Sequence, residues 1–144
     1  MALQIRPLRE GELHAMMRVW ESAGLLYRPT GRDSLERLKE QRKACPDLFL
    51  GAFVNERLVG VAIASDDGRK GWINRLAVLP EARRHGIGTA MVEECERALR
   101  ARGRGVFSIL IEGENQASEN LFLGMGYKLE EDIKYYAKRD SQSV

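Results

Sequence analysis

A chain of 144 residues with 44% hydrophobic and 31% charged side chains has the balance of a soluble globular protein, long enough to bury a core. Its 23 Lys and Arg against 21 Asp and Glu leave a net charge of +2, which argues against the clearly basic surface of a general nucleic-acid binder. Charges from Arg6 onward argue against a signal peptide, and no window nears the roughly 20 apolar residues of a membrane span, so a cytoplasmic protein is expected.

In chain order, "ALQIRPL" alternates apolar and polar side chains and predicts a first strand. "REGELHAMMRVWESAG" sets Leu13, Met16, Met17 and Trp20 at helical spacing, with Gly24 to stop the helix. "LLYRPTGRD" reads as a loop, after which Asp33 or Ser34 caps "SLERLKEQRKAC". The mixed charges of that second helix read as a solvated face. "DLFLGAFVN" and "RLVGVAIASD" predict two strands joined by a hairpin at "NER". A turn at "DDGRKG" leads to a fourth strand, "WINRLAVL", closed by Pro80.

A long helix is expected from about Gly86 to Arg102, with Ile87, Met91, Cys95, Ala98 and Leu99 on its apolar face. "GVFSILIEG" predicts a fifth strand and "NQASENLFLGMG" a short helix. "YKLEEDIKYYAKR" predicts two last short strands, and residues 140–144 a frayed tail. With no repeat and no linker, the expectation is one domain over residues 1–144. Its class is α/β (α+β): a mixed central sheet of about seven strands, flanked by about four helices on both faces.

Cys45 and Cys95 lie far apart, and only His14 and His85 could join them as ligands. A disulfide framework or a closed zinc site needs more ligands at closer spacing, so both read as reduced thiols and no metal is expected.

The chemistry concentrates in "VLPEARRHGIGTAMVEECERAL", residues 78–99, where a strand passes through a basic glycine-containing loop into a helix. A helix start offers unpaired N–H groups and partial positive charge, which suit a phosphate. Gly86 and Gly88 let the main chain approach closely, and Arg83, Arg84 and His85 add donors. The dinucleotide fingerprint fails because Met91 stands where its last glycine is needed, and the P-loop pattern fails because Thr89 follows Gly88 with no lysine between. A plain glycine-containing helix start with surface arginines is the simpler alternative.

"LAVLPEARRHGIGTAMVEECE" resembles motif A of the GNAT superfamily of acetyl-CoA-dependent N-acetyltransferases, with the hallmark Arg-x-x-Gly-x-Gly on Arg83, Gly86 and Gly88. "NQASENLFLGMGYK" resembles a second family segment, matching at Asn115, Leu121, Gly126 and Tyr127. The resemblance implies the GNAT fold, acetyl-CoA as cosubstrate and direct acetyl transfer to an amine. It further implies that main-chain groups of Leu76, Ala77 and Val78 pair with the pantetheine arm. Amides from Arg83 through Thr89, including those of Arg84, His85, Gly86, Ile87 and Gly88, would hold the diphosphate. Asn115 would contact the pantetheine or thiol end, and the Val78 N–H would stabilise the oxyanion.

The family's usual acid, a tyrosine, is replaced by Phe122, which lies against the cofactor's position and has no proton to give. Tyr127, Tyr135 and Tyr136 are other candidates for the acid. Glu112, Glu114 and Asn74 are candidates for moving the amine's proton, and no base is assigned. Trp20, Leu25, Leu26, Tyr27 and Arg28 are expected around the acceptor, and Asp66 and Asp67 could attract an amine. The acceptor is an unidentified amine of a small molecule or protein. An acyl-CoA-binding sensor without turnover is the alternative function, and a homodimer pairing through the last strands is expected.

Overall fold

The computed structural model describes residues 2–142. Strand β1 (Leu3–Pro7) lies antiparallel to β2 (Phe49–Val54), and β2 to β3 (Arg57–Asp66). The β2–β3 hairpin turns on Asn55 and Glu56 at φ 49° and 68°. Positive φ at both central residues matches the right-handed twist of the flanking strands.

The expected fourth strand is divided. Its parts are β4 (Gly71–Ile73) and β5 (Ala77–Val78), both antiparallel to β3. Ile73 pairs with Ala64 and Ala77 with Val61, so Asn74, Arg75 and Leu76 stand opposite only Ala62 and Ile63. One surplus residue in an antiparallel pair is a bulge, which bends its strand and releases a residue from the ladder. The Asn74 N–H still donates to the Ile63 carbonyl at 2.8 Å, so the surplus falls at Arg75 and Leu76.

Helix α1 (Leu13–Ala23) buries Leu13, Met16, Val19 and Trp20, and ends at Gly24 with φ 76°. Ser34 caps α2 (Leu35–Ala44) by accepting from the Arg37 N–H at 3.3 Å. Asp33 is instead buried and accepts from the Arg28 N–H at 2.8 Å. Helix α3 (Ile87–Ala101) buries Ile87, Met91, Val92, Cys95 and Leu99. Its close approach to β4 depends on Gly71, where a Cβ would stand 2.5 Å from Leu99 Cδ1. Just past the helix end, Arg102 grips the Asp47 carboxylate through two hydrogen bonds of 2.9 and 2.7 Å.

Strand β6 (Phe107–Ile109) pairs with β4 in parallel, completing six strands in the order β1-β2-β3-β4-β6 with β5 beside β3. Helix α4 (Gln116–Gly124) follows. The two last strands expected after Tyr127 do not form among the described residues, and with the fourth strand divided in two the sheet there counts six strands against the expected seven or so. Leu129, Ile133, Tyr135 and Tyr136 are 66–84% exposed there. Alternation makes a strand only where one face has a core to cover, and an isolated ribbon is marginal. The strands through which two copies were expected to pair are thus missing from the described residues. In the tail, the Gln142 carbonyl accepts from Arg28 Nη1 at 3.3 Å, while residues 143–144 lie outside the described residues.

Candidate active site

After β5, a short 3-10 turn at Pro80–Ala82 leads into the basic loop. Two residues there adopt left-handed backbone, Arg84 at φ 67° and Gly86 at φ 75°. The helix ladder opens with the Ala90 N–H on the Gly86 carbonyl at 3.0 Å, and no side chain caps it. The amides of Ile87, Gly88 and Thr89 therefore precede the ladder, a ready anion seat.

The Ile87 side chain belongs to the core, so only its main chain can meet a ligand. A Cβ on Gly86 would meet nothing within 4 Å, whereas one on Gly88 would press on Leu121 Cδ2 at 3.3 Å. Gly88 thus also sets how closely α4 approaches α3. The Arg83 N–H donates to Pro80 at 3.3 Å, and its Nε to the Val78 carbonyl at 3.2 Å. Arg84 and His85 are exposed beside the seat.

Beside this seat the sheet opens. β5 pairs only with β3, while β4 pairs onward with β6. The Leu79 N–H donates to the Val59 carbonyl at 2.8 Å. Main-chain groups alternate sides along an antiparallel ladder, so those of Ala77 face β3 and those of Val78 face outward. The resulting cleft holds about 290 Å³ between the β4–β5 break and the β6–α4 connection.

The cleft gathers Leu76, Asn115, Phe122, Leu25, Leu26, Asn74, Glu112 and Glu114 from the sequence-predicted residues. It also includes Arg75, Ser118 and the Ile109–Ile111 stretch, which the sequence reading passed over. A charged residue inside the apolar run "WINRLAVL" was the signal for Arg75. Asn115 Oδ1 accepts from the Ser118 N–H at 3.1 Å and so caps α4, which leaves its amide NH2 for a ligand. A separate hollow of about 220 Å³ at Ala2–Gln4 and Phe53 lies on the opposite edge of the sheet, away from the helix start.

Other expected residues stay outside. Trp20 is fully buried in the core. Asp67 accepts from the Arg69 and Lys70 amides and from Trp72 Nε1, and these bonds hold it down at about 2. Asp66 lies 3.3 Å from Arg104 Nε, in an ion pair. Tyr135 and Tyr136 are exposed, and the Tyr127 hydroxyl donates to Glu96 at 2.7 Å. Among the described residues, the cleft lining has no tyrosine, histidine, lysine or cysteine.

The Acetyltransferase (GNAT) family model matches residues 13–127. The chain belongs to the GNAT acetyltransferase family. An acetyltransferase of Pectobacterium atrosepticum is 33% identical over 128 residues, spanning 89% of this chain and 86% of that one. One from Sodalis glossinidius is 28% identical over 137 residues, spanning 95% of each chain.

In fold, this GNAT chain is similar to the PaiA N-acetyltransferase of Thermoplasma acidophilum in complex with coenzyme A. The TM-score is 0.80 at 22% identity, covering 92% of this chain and 94% of that one. AAC(6')-Iy in complex with the bisubstrate analogue CoA-S-monomethyl-acetylneamine gives a TM-score of 0.79 at 18% identity, covering 96% and 99%. This GNAT protein is an acetyl-CoA-dependent N-acetyltransferase, and the sensor without turnover is not favoured.

Proposed function

We propose that acetyl transfer runs in the cleft between the β4–β5 break and the β6–α4 connection, directly from acetyl-CoA to a primary amine of a small molecule or protein, with residues 1–144 acting as one domain. The observation that carries this reading is the side of β5 that no strand covers, where the Val78 N–H faces outward, its carbonyl held by Arg83 Nε, one short turn before the start of α3. An extended pantetheine arm adds to such an edge as a strand would. The fit is supported by the bulge, which opens this edge, and by the uncapped amides of Ile87, Gly88 and Thr89.

In this reading Val78 and Leu76 supply main-chain partners for the arm, and Ala77 sets their register from its place in the β3 ladder. The diphosphate falls to the amides of Arg84 through Thr89, flanked by the side chains of Arg83, Arg84 and His85. The amide of Asn115 meets the arm near its thiol end, and Phe122 packs beside it. The Val78 N–H stabilises the negative charge that develops on the acetyl oxygen. Holding amine and thioester together supplies much of the rate. The amine must lose a proton before it attacks, and Glu112 and Glu114 are the carboxylates of the cleft that can draw it. No protein acid serves the leaving thiolate, which departs well unaided.

Calorimetry with acetyl-CoA, followed by thiol release over a panel of amines, tests the reading. Binding with turnover on some amine supports it, and no heat of binding contradicts it. A cytoplasmic location and a homodimer belong to the same proposal, and light scattering decides the second.

A further inference from the structure

We propose that Leu26 and Leu110 form an apolar lip on the acceptor side of this cleft, so that the acceptor is a small monoamine carrying an apolar chain. The inference rests on the acetyl-transfer reading and narrows its acceptor. Both leucines line the cleft, and they are 83% and 55% exposed. A lone leucine on a surface is ordinary. Two of them in one concave site, which the partly buried Leu25 and Leu76 also line, are apolar area that water covers until a ligand displaces it.

Hydrogen bonds hold Leu26 at the mouth. The Leu25 N–H donates to the Trp20 carbonyl at 2.9 Å, and the Leu26 carbonyl accepts from Arg75 Nη2 at 2.8 Å. Arg75 is itself fixed, with its guanidinium 4.6 Å from the Trp20 ring and Nη2 3.5 Å from Asp33. It acts as a strut for the loop after α1, and its charge is already matched within the protein. Ordering a loop weakens binding, and here folding has ordered it beforehand.

Leu110 comes to the cleft from the opposite wall. On β6 and just past it, Phe107, Ile109 and Ile111 pack against the core, and Arg100 of α3 lies 4.8 Å over the Phe107 ring. Side chains alternate along an extended segment, so Leu110 turns away from α3, whose start is the diphosphate seat. Leu110 is thereby left to the acceptor.

Charge defines the other end of the acceptor. Among the described residues of the lining, Arg75 is the one cation and Asp33 offsets it, which leaves Glu112 and Glu114 to attract an ammonium. A monoamine sets that head toward the glutamates and lays its chain over the leucines. A polar chain, or a second ammonium at the far end, would lose water against Leu26 and Leu110 and gain no partner there.

The test uses wild-type protein with acetyl-CoA and three acceptors of equal chain length: hexylamine, 2-(2-aminoethoxy)ethanol and 1,5-diaminopentane. Thiol release is expected to give hexylamine a kcat/KM roughly tenfold or more above either of the others. The ether oxygen lets the second amine lose its proton more readily, which biases the comparison against that result. Leu26→Ser and Leu110→Thr are each expected to lower kcat/KM for hexylamine several-fold toward that of the ether, with acetyl-CoA affinity unchanged. Both side chains are exposed, so melting temperatures close to wild type are expected and check the fold. Should Leu110→Thr fail to fold, the wild-type ratio and Leu26→Ser decide. Equal values for hexylamine and the ether, a diamine faster than hexylamine, the preference retained in both variants, or no acetylation of any of the three overturns the proposal. Acetyl-CoA bound without preference for the apolar chain removes only this proposal, whereas no acetyl-CoA binding by the wild type removes the acetyl-transfer reading beneath it.

Discussion

The ring of Phe122 meets the ring of Tyr127 edge-on, with centroids 5.0 Å apart at 74°, while the Tyr127 hydroxyl donates to the Glu96 carboxylate at 2.7 Å. Phe122 lines the cleft, and the nearby phenol is committed to another residue. Burial and the Glu96 carboxylate also push the Tyr127 hydroxyl well above its ordinary range, which makes it a poorer acid.

Phe122→Tyr is therefore expected to leave acetyl-CoA affinity unchanged and to raise turnover. Acid help is typically 10²–10⁴-fold, and about tenfold is expected here because the thiolate already leaves well. A descending limb at high pH should appear in its rate profile and be absent from wild type. A fall in turnover with weakened binding would mean that the phenyl ring itself packs on the cosubstrate.

Tyr127→Phe separates structure from chemistry. It leaves the Glu96 carboxylate short of a donor and should cost about 1–2 kcal/mol of stability with turnover unchanged, read by denaturant unfolding and thiol release. Because the folded pKa of Tyr127 is raised, its stabilisation is complete below the ordinary value of 10.0 and fades as pH climbs above it. Alkaline unfolding should accordingly be less steep in the variant.

Gly86→Glu should abolish acetyl-CoA binding through bulk and charge at the diphosphate seat. The chain should still fold, because a Cβ at this position meets nothing within 4 Å. The left-handed φ of 75° adds a cost of roughly 1–2 kcal/mol for any side chain. Gly86→Ala carries that backbone cost without the charge, so the two variants divide strain from ligand exclusion in calorimetry.

Glu12 forks onto Arg6 through hydrogen bonds of 2.9 and 2.8 Å, and this partner holds its carboxyl down at about 2 against an ordinary 4.5. A lowered folded pKa stabilises above the unfolded value and is lost as pH falls toward the folded one. The melting temperature should thus drop between about 4.5 and about 2, and less so in Glu12→Gln.

Burial pushes the Cys95 thiol up to about 12. The thiolate is the reactive form, so Cys95 should resist disulfide reagents in the folded protein and react after denaturation. Thiol titration before and after adding guanidinium checks this directly.

Much of the fold was legible because its signals are local. The spacing of Leu13, Met16 and Trp20, the turn at Asn55, and the basic glycine loop ahead of Ile87 each declare an element within a few residues. The division of the fourth strand was not legible. It arises from a one-residue mismatch against β3, and register belongs to a pair of strands rather than to either sequence. The same bulge hid Arg75, whose place in the cleft depends on β4 and β5 parting company. The last strands were over-read from the alternation near Ile133 and Tyr135, since alternation says nothing about whether a neighbour exists to cover it. Asp66 and Asp67 looked available for an amine until the turn consumed Asp67 in hydrogen bonds and Arg104 paired with Asp66.

The most direct measurement is an amide-resolved NMR titration of the protein with coenzyme A. The account predicts the largest shifts and strongest slowing of hydrogen exchange at Val78 and at Ile87, Gly88 and Thr89. Perturbation centred instead on Ala2–Gln4 and Phe53, or none anywhere, would contradict it.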